Sequence, residues 1–437
     1  MNPRHAALDI LCRLEDSPQR LEKLLHQHLG QKAPERDRAL ATNLVYTVLR
    51  NRLYLDHLLR PCLKRPLEKL DQPLPHILRL GAAELMLLNT PDHAAVDGAV
   101  RLTIAGPAQR ARGLVNGVLR TLARRRQTPP PPPKGRAARL SIQYSHPRWL
   151  VEELLQQLPP DQVEALLAAN QEQPPLALRA NTLKIEPPEL ARRLAPLVGP
   201  VEPHPLDRDS LVLRGFSGRA NHLPGFEQGL FQVQDPGATA VTRLLQVRPG
   251  QRVLDLCAGA GGKTGHLAAL MQNQGELVAV EPSPGRVRGL ETNLERLGVR
   301  NARIIQADAT RLGQDLGTFD RILVDAPCTG LGVVGRRPDL RWRRRPQDAE
   351  RLARLQLELL RAALRLLAPG GLLLYCTCTI TRRENQAVIQ ELMAKEPGLE
   401  LQWPPDTPLQ ADGYFHTYPH QHHCDGFFAA AIMNDES

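Results

Sequence analysis

Apolar side chains recur at three- and four-residue intervals through the first 126 residues, the spacing of helices with one buried face. Leu8, Ile10, Leu11 and Leu14 form one such set, Leu40, Leu44, Val45 and Val48 a second, and Ile77, Leu78, Leu85 and Leu88 a third. Gly, Pro and Asp punctuate the sets, and strand-like alternation is absent. Residues 1–126 are therefore expected to form an all-helical domain. A polar stretch at 124–128 leads into five prolines at 129–133. Proline cannot continue a helix and favours a stiff extended segment, so residues 127–139 are read as a linker.

The pattern is mixed over 140–232, with helices expected at 147–158 and 161–169 and a strand-like run at 176–183. After 233 the texture changes again. Short apolar runs at 252–254, 276–280, 302–305, 321–324 and 371–376 alternate with helical stretches. Strands alternating with helices imply a parallel sheet with crossovers, here a Rossmann-like α/β domain over 233–437. Ligands of such sheets bind outside the carboxyl ends of the strands. The residues just after each run are where chemistry is to be sought.

Composition narrows the partners. The 437 residues carry 56 Lys+Arg against 46 Asp+Glu, a net charge of +10. Such an excess favours a polyanion, since contacts to phosphates release counterions. A generically basic proteome would give the same sum. No apolar run reaches the length of a membrane span, and the first ten residues lack the hydrophobic centre of a signal peptide. Seven cysteines without regular spacing argue against a disulfide framework and for a reducing cytoplasm.

The first run is followed by Asp255-Leu-Cys257-Ala258-Gly259-Ala260-Gly261-Gly262-Lys263-Thr264. A phosphate loop of the Walker type needs glycine at 257, where cysteine stands, and the dinucleotide fingerprint needs glycine at 264, where threonine stands. Glu281 ends the second run, about twenty residues past the loop, where an acid accepts ribose hydroxyls. Asp308, after the third run, suits an adenine amino group. A glycine loop and two acids on three successive strand ends fit a ligand with ribose and adenine but no diphosphate. S-adenosylmethionine is such a ligand, and its cation suits an acid such as Asp255. Taken singly, each acid is more often a solvated strand end or a helix cap.

The fourth run ends in Asp325-Ala-Pro-Cys328-Thr-Gly330 and the fifth in Tyr375-Cys376-Thr-Cys378-Thr379, followed by Glu384-Asn385. A thiolate adding to C6 of a pyrimidine makes C5 nucleophilic enough to take a methyl group, one hard step becoming two easier ones. A nearby carboxyl such as Asp325 suits N3 of the base as charge develops. Residue chemistry alone does not rank the thiols. Cys376 and Cys378, two apart, would share one face of a strand.

These motifs resemble those of the RNA cytosine-5 methyltransferases, the Nol1/Nop2/Sun family. Further matches are Leu178-Arg-Ala-Asn-Thr-Leu, Gln234-Asp235, Arg336-Arg-Pro-Asp-Leu-Arg-Trp342 and Asp425-Gly-Phe-Phe428, so the resemblance covers about residues 145–432. It implies Cys378 as nucleophile, Cys328 as the group that helps release product, Lys263 as an active-site residue near the target base and Asp325 as the base-contacting acid. The S-adenosylmethionine site it implies comprises Cys257, Ala258, Gly259, Ala260, Gly261, Gly262, Lys263, Glu281, Arg286, Asp308 and Asp325. The usual Cys-Ala-Ala-Pro-Gly-Gly-Lys is here Cys257-Ala-Gly-Ala-Gly-Gly-Lys263, a loop that loses a proline and gains a glycine. Thr329 and Thr379 stand where serine is common.

The helical front end resembles the RNA-binding fold of the antitermination factor NusB, through Arg36-Asp-Arg-Ala-Leu, Arg79-Leu-Gly-Ala-Ala-Glu-Leu-Met86 and Leu114-Val-Asn-Gly-Val-Leu119. Fused to such a catalytic domain, it implies an enzyme acting on 16S ribosomal RNA of the small subunit. Oligomeric state is not legible in the sequence, and a monomer is the default expectation. Arg110, Arg112, Arg120 and the arginines at 124–126 are expected to meet phosphates. The cluster Arg341-Trp342-Arg343-Arg344-Arg345 can stack on a base and hold the backbone, with a solvated helix start as the alternative for each arginine taken singly. His416, His420, His422 and His423 with Cys424 lack zinc spacing and are read as a substrate-facing loop, with no metal. Two competing readings are a DNA cytosine-5 methyltransferase with Cys328 attacking and a non-catalytic RNA-binding assembly factor. Transfer RNA is an alternative substrate.

Overall fold

In the computed structural model all residues are described except 1, 17–18, 20, 31–33, 105–107, 217, 406, 409–411 and 435–437. The chain divides into two compact units, Met1–Gln171 with Arg337–Arg343, and Glu172–Arg336 with Arg344–Ser437.

The first unit is helical, as its apolar spacing predicts. It contains α1 (Pro3–Asp16), α2 (Leu21–Leu29), α3 (Glu35–Leu59), α4 (Leu74–Met86), α5 (Asp92–Leu102) and α6 (Arg112–Arg124), then α7 (Arg136–Gln143), α8 (Arg148–Gln157) and α9 (Pro160–Ala169). Helix α4 is the centre, buried from Leu74 through Leu85. Its two buried charges are paired, Arg79 with Asp56 at 2.7 Å and Glu84 with Arg4 at 2.5 Å. Gly81 lets α6 come close, since a Cβ there would lie 2.5 Å from Leu119.

The second unit begins with a four-stranded antiparallel sheet in the order β2-β3-β1-β4, from β1 (Leu176–Ala180), β2 (Val201–His204), β3 (Asp207–Leu213) and β4 (Phe231–Val233), with α10 (Pro187–Val198) packed on it. Leu178, Leu211, Leu213, Phe231, Leu190 and Leu194 form its core. Only β1 was expected here.

Next come α11 (Pro236–Arg243), β5 (Arg252–Asp255), α12 (Gly262–Leu270), β6 (Glu276–Val280), α13 (Pro284–Leu297), β7 (Ala302–Ile305) and β8 (Phe319–Asp325). The turn α14 (Leu340–Arg343) belongs to the first unit. The second unit resumes with α15 (Pro346–Leu364), β9 (Leu367–Thr377), α16 (Gln386–Lys395), β10 (Leu399–Leu401), β11 (Phe415–Thr417), α17 (Pro419–His422) and β12 (Phe427–Asn434). The large sheet runs β10-β12-β9-β8-β5-β6-β7, with β11 on β12. Strands β5 to β9 are parallel, and β12 is antiparallel to β9, β10 and β11. Both faces are covered. Leu254, Val278, Ile322, Val324, Leu373 and Tyr375 pack on one side, and Val253, Leu277, Leu323, Leu374 and Cys376 on the other. Burial on both faces is why these strands read as unbroken apolar runs.

The five expected strands are all present. The C-terminal strands were not expected, because Phe-Phe-Ala-Ala-Ala-Ile is rich in a strong helix former. Tertiary pairing overrides that propensity, with Ala429, Ala430 and Ala431 in register against Cys376, Tyr375 and Leu374. No helix among the described residues is long and apolar enough to cross a membrane.

The cluster at 341–345 requires a correction. Arg341 is fully buried and donates to the carbonyl oxygens of Ser145 and Asn170 and to Gln171 Oε1. Trp342 packs on the helical core and donates Nε1–H to the Leu49 carbonyl at 2.7 Å, with the Arg52 guanidinium 5.5 Å from its ring. Arg343 donates to the Gln19 carbonyl at 2.6 Å. These three side chains serve packing, where carbonyl acceptors inside the unit satisfy their donors. Trp342→Phe should therefore lower the unfolding free energy by about 1 kcal/mol in a urea titration, as expected for one lost hydrogen bond. Its affinity for single-stranded RNA should stay unchanged, whereas weakened binding at unchanged stability would restore the stacking role.

Candidate active site

The carboxyl ends of the parallel strands set the chemistry side by side. In sheet order they present Cys378 after β9, Asp325 and Cys328 after β8, the glycine loop after β5, Glu281 after β6 and Asp308 after β7.

At the end of β5, Asp255 is 1% exposed. Its Oδ2 accepts from the Thr264 hydroxyl at 2.7 Å, while its buried Oδ1 has no partner. Burial, aided by the negative charge of Asp325, raises its pKa to about 6. An orphaned acid oxygen of this kind calls for a cationic or donor ligand. The loop beyond it is open, as Cβ atoms at Gly259 and Gly262 would meet nothing within 4 Å. Gly261 at φ +81° is in the left-handed region, and a Cβ there would strike Leu290 at 2.5 Å. Glycine is thus needed at 261 for packing and leaves room at 259 and 262 for a ligand. The Ala260 carbonyl accepts from Asn293.

Glu281 is buried. One oxygen accepts from the Ser283 amide at 2.9 Å, and the other faces Arg286 at 3.7 Å. Asp308 is exposed and caps the next turn, accepting from the Thr310 amide and hydroxyl, which hold its carboxyl below the usual range. The residues present fit S-adenosylmethionine: an acid oxygen unpartnered among the described residues for a cation, a loop open at Gly259 and Gly262, and acids on the next two strand ends.

Lys263, in the first turn of α12, donates from Nζ to Asp325 Oδ2 at 2.6 Å and lies 5.4 Å from the Phe427 ring centre. Burial works to lower the ammonium's pKa, but Asp325 and the nearby thiols outweigh it and the net shift is upward. Cys376 Sγ is 3.5 Å from the other Asp325 oxygen. Cys376 is fully buried in the sheet, where burial and Asp325 push its thiol well up. Cys378 lies one residue past the end of β9, partly exposed, with its sulfur 3.4 Å from Cys328 Sγ. The hydrogen bond to Cys378 and then burial raise the Cys328 thiol. Because the strand ends at Thr377, the shared-face argument linking Cys376 to Cys378 does not hold here.

Two loops meet at the thiols. Gly332 donates to the Cys378 carbonyl at 3.0 Å, and Gly426 donates to the Gly332 carbonyl at 2.8 Å. A Cβ on Gly332 would lie 2.0 Å from that Gly426 oxygen. Arg336 ties Asp235 and Asp425 together at 2.8 and 2.9 Å, and burial with the Asp235 charge raises Asp425 to about 8. Sequence reasoning missed this bridge, the Phe427–Lys263 contact and the carboxylate of Glu384 behind both loops. The available signal was Thr377, Thr379 and Thr381 at alternate positions before Glu384-Asn385. His416 differs from the loop expected: it is buried, stacked on Tyr418 at 5.7 Å and packed against Phe428.

Three family descriptions match the chain: NusB family over residues 1–124, RsmF/B-like ferredoxin-like domain over 146–217, and 16S rRNA methyltransferase RsmB/F over 242–433. A Klebsiella pneumoniae protein named ribosomal RNA small subunit methyltransferase B is 34% identical over 99% of this chain and 98% of its own. The Yersinia pseudotuberculosis protein of that name is 33% identical over 99% and 98%. A crystallised methyltransferase homolog from Pyrococcus horikoshii is 29% identical, with TM-score 0.60, over 67% of this chain and 97% of its own. Another solved structure reaches TM-score 0.81 at 25% identity and covers 99% of both chains. Helical, α+β and Rossmann-like parts are thus all borne out.

The Asp255 shift has a testable consequence. A folded-state pKa near 6 against an ordinary 3.8 means that the folded protein holds this proton where the unfolded chain has lost it. Stability from this group is full below pH 4 and falls through pH 6, by up to ~3 kcal/mol. Asp255→Asn should therefore gain about that much relative to the unsubstituted protein between pH 4 and 7 in denaturant titrations without added cofactor. A pH-independent difference would remove the buried acid from the account.

Proposed function

The chain belongs to the RsmB/F family of 16S rRNA methyltransferases, and from that premise we propose that it methylates carbon 5 of one cytosine in 16S ribosomal RNA, with Cys378 bonding covalently to C6. The observation that carries this reading is the contact of two thiols at the ends of β8 and β9, beside an acid–ammonium pair.

S-adenosylmethionine, when bound by the loop at 257–263 with Asp255, Glu281, Arg286 and Asp308, supplies an electrophilic methyl group. The protein's own residues do the rest. The sulfur of Cys378 adds to C6 and drives electron density to C5. At the N3 edge Lys263 is the donor that offsets negative charge as it develops, and Asp325 orients it and accepts from the neighbouring amino group of the base. After methyl transfer the C5–H and C6–S bonds break, and the C5–H electron pair restores the 5,6 double bond. Cys328, in contact with Cys378, assists that release by giving its thiol proton to the departing sulfur and taking up the C5 proton in its place. Reaching C5 and C6 requires a base that is single-stranded or flipped out of its stack.

We assign residues 1–126 to RNA binding, 127–139 to the linker, 140–232 to a small RNA-binding α+β part and 233–437 to catalysis. In the first of these, Arg112, Arg120 and Arg124 line a groove of about 1110 Å³ with Asp92 and Asp97. Both acids are already paired, Asp92 with Arg126 at 2.7 Å and Asp97 with Arg101 at 2.8 Å, which leaves the groove net positive. We infer a cytoplasmic monomer.

With a 16S transcript and labelled cofactor, Cys378→Ala should abolish both methylation and any RNA–protein adduct. Cys328→Ala should slow turnover and accumulate the adduct. If Cys378→Ala still methylates, the nucleophile assignment fails. Mapping 5-methylcytosine in a strain lacking the protein should show loss from 16S ribosomal RNA; loss confined to transfer RNA would move the substrate but keep the chemistry.

A further inference from the structure

Glu384 is fully buried, yet among the described residues none of the donors hydrogen-bonded to its carboxylate is a cation. A buried acid without a counter-ion persists only where other donors saturate it. On Oε1 converge the Thr329 amide at 2.8 Å and Gln356 Nε2 at 3.3 Å. On Oε2 converge the hydroxyls of Thr329 at 2.5 Å, Thr381 at 3.0 Å and, at a longer 3.5 Å, Thr379. The Thr379 hydroxyl also lies 2.8 Å from that of Thr329, so its single proton goes either to Thr329 Oγ1 or to Glu384.

The position of these donors matters more than their number. Thr329 follows Cys328 directly, and Thr379 follows Cys378 directly. Gln356, which donates to Glu384, also donates to the carbonyl of Pro327 at 2.9 Å. The residues before and after Cys328, and the residue after Cys378, are thus held by one cluster. Its remaining supports come from Tyr375, whose hydroxyl donates to the Glu384 carbonyl at 2.5 Å, and Asn385, whose Nδ2 donates to the Thr379 carbonyl at 3.1 Å.

We propose that Glu384 is a positioning residue that sets the two thiol-bearing loops in register, so that Cys328 reaches the Cys378–cytosine adduct during product release. It touches neither substrate nor sulfur and acts through Thr329 and Thr379. The inference rests on the covalent reading above and adds a group to its second half. A shift of about 1 Å between reacting groups can cost on the order of 100-fold in rate. Loosening the cluster should therefore slow resolution of the adduct more than its formation.

The test follows adduct formation and decay by rapid quench and denaturing gels, using the full-length enzyme, S-adenosylmethionine and a 16S transcript. Glu384→Ala should lengthen the adduct lifetime about tenfold or more, approaching Cys328→Ala, with cofactor affinity unchanged. Glu384→Gln, which keeps an acceptor for the Thr329 amide, should recover part of the loss. Thr329→Val, which loses only a hydroxyl, carries the test if Glu384→Ala does not fold, and should also lengthen the lifetime. Wild-type decay in Thr329→Val and in folded Glu384 variants, with Cys328→Ala still trapping adduct, overturns the inference alone. No adduct from Cys328→Ala overturns the covalent reading, and this inference with it.

Discussion

The ammonium of Lys263 is nearly dry, and it holds a charge there because Asp325 lies 2.6 Å away. Stripping water from either ion costs several kcal/mol, and only close, well-oriented pairing returns that cost. The pair constrains much of the site. Lys263 opens the helix after β5, whereas Asp325 ends β8, so the two meet only because those strands are neighbours in the sheet. The same carboxylate takes Cys376 on its other oxygen. Cys376 is packed inside the sheet, whereas Cys378 lies past the end of β9. One pair of side chains thus fixes the acid and places a cation beside the thiols.

The other half of the site follows a complementary logic. Asp255 sits one strand away with an oxygen that has no partner among the described residues, and beyond it the loop is open at Gly259 and Gly262. A saturated ion pair on one side and an unsatisfied acid on the other divide the pocket. The first is ready before any ligand arrives, and the second waits for one. Such preorganisation is what electrostatic catalysis requires. The loop departs from the usual proline-bearing pattern at 259 and 260: the gained Gly259 adopts a left-handed φ of +59° with open space around it, the open Gly262 is retained, and Gly261 is required for packing against Leu290.

Much of this was legible in the chain. The five parallel strands announced themselves because both their faces are buried, and the residues after them carried the chemistry. Other features were hidden for physical reasons. The strand at 427–434 is alanine-rich, and only pairing with β9 makes it extended. The arginines and tryptophan at 341–343 look like an RNA-binding cluster, since sequence does not show that carbonyl groups absorb their donors. Residue chemistry left Cys376 and Cys378 unranked, because the ranking turns on where β9 stops. Glu384 was visible as a letter, but a buried carboxylate fed by threonines reads like any polar loop.

The central claim is that Cys378 forms the bond to the base. It is tested most directly with a 16S transcript carrying 5-fluorocytosine, whose C5 fluorine cannot leave as a proton does, so that the adduct persists. Proteolysis and mass spectrometry of the trapped complex should place the nucleotide on the peptide containing Cys378. A nucleotide on Cys328 or on Cys376 would contradict the account.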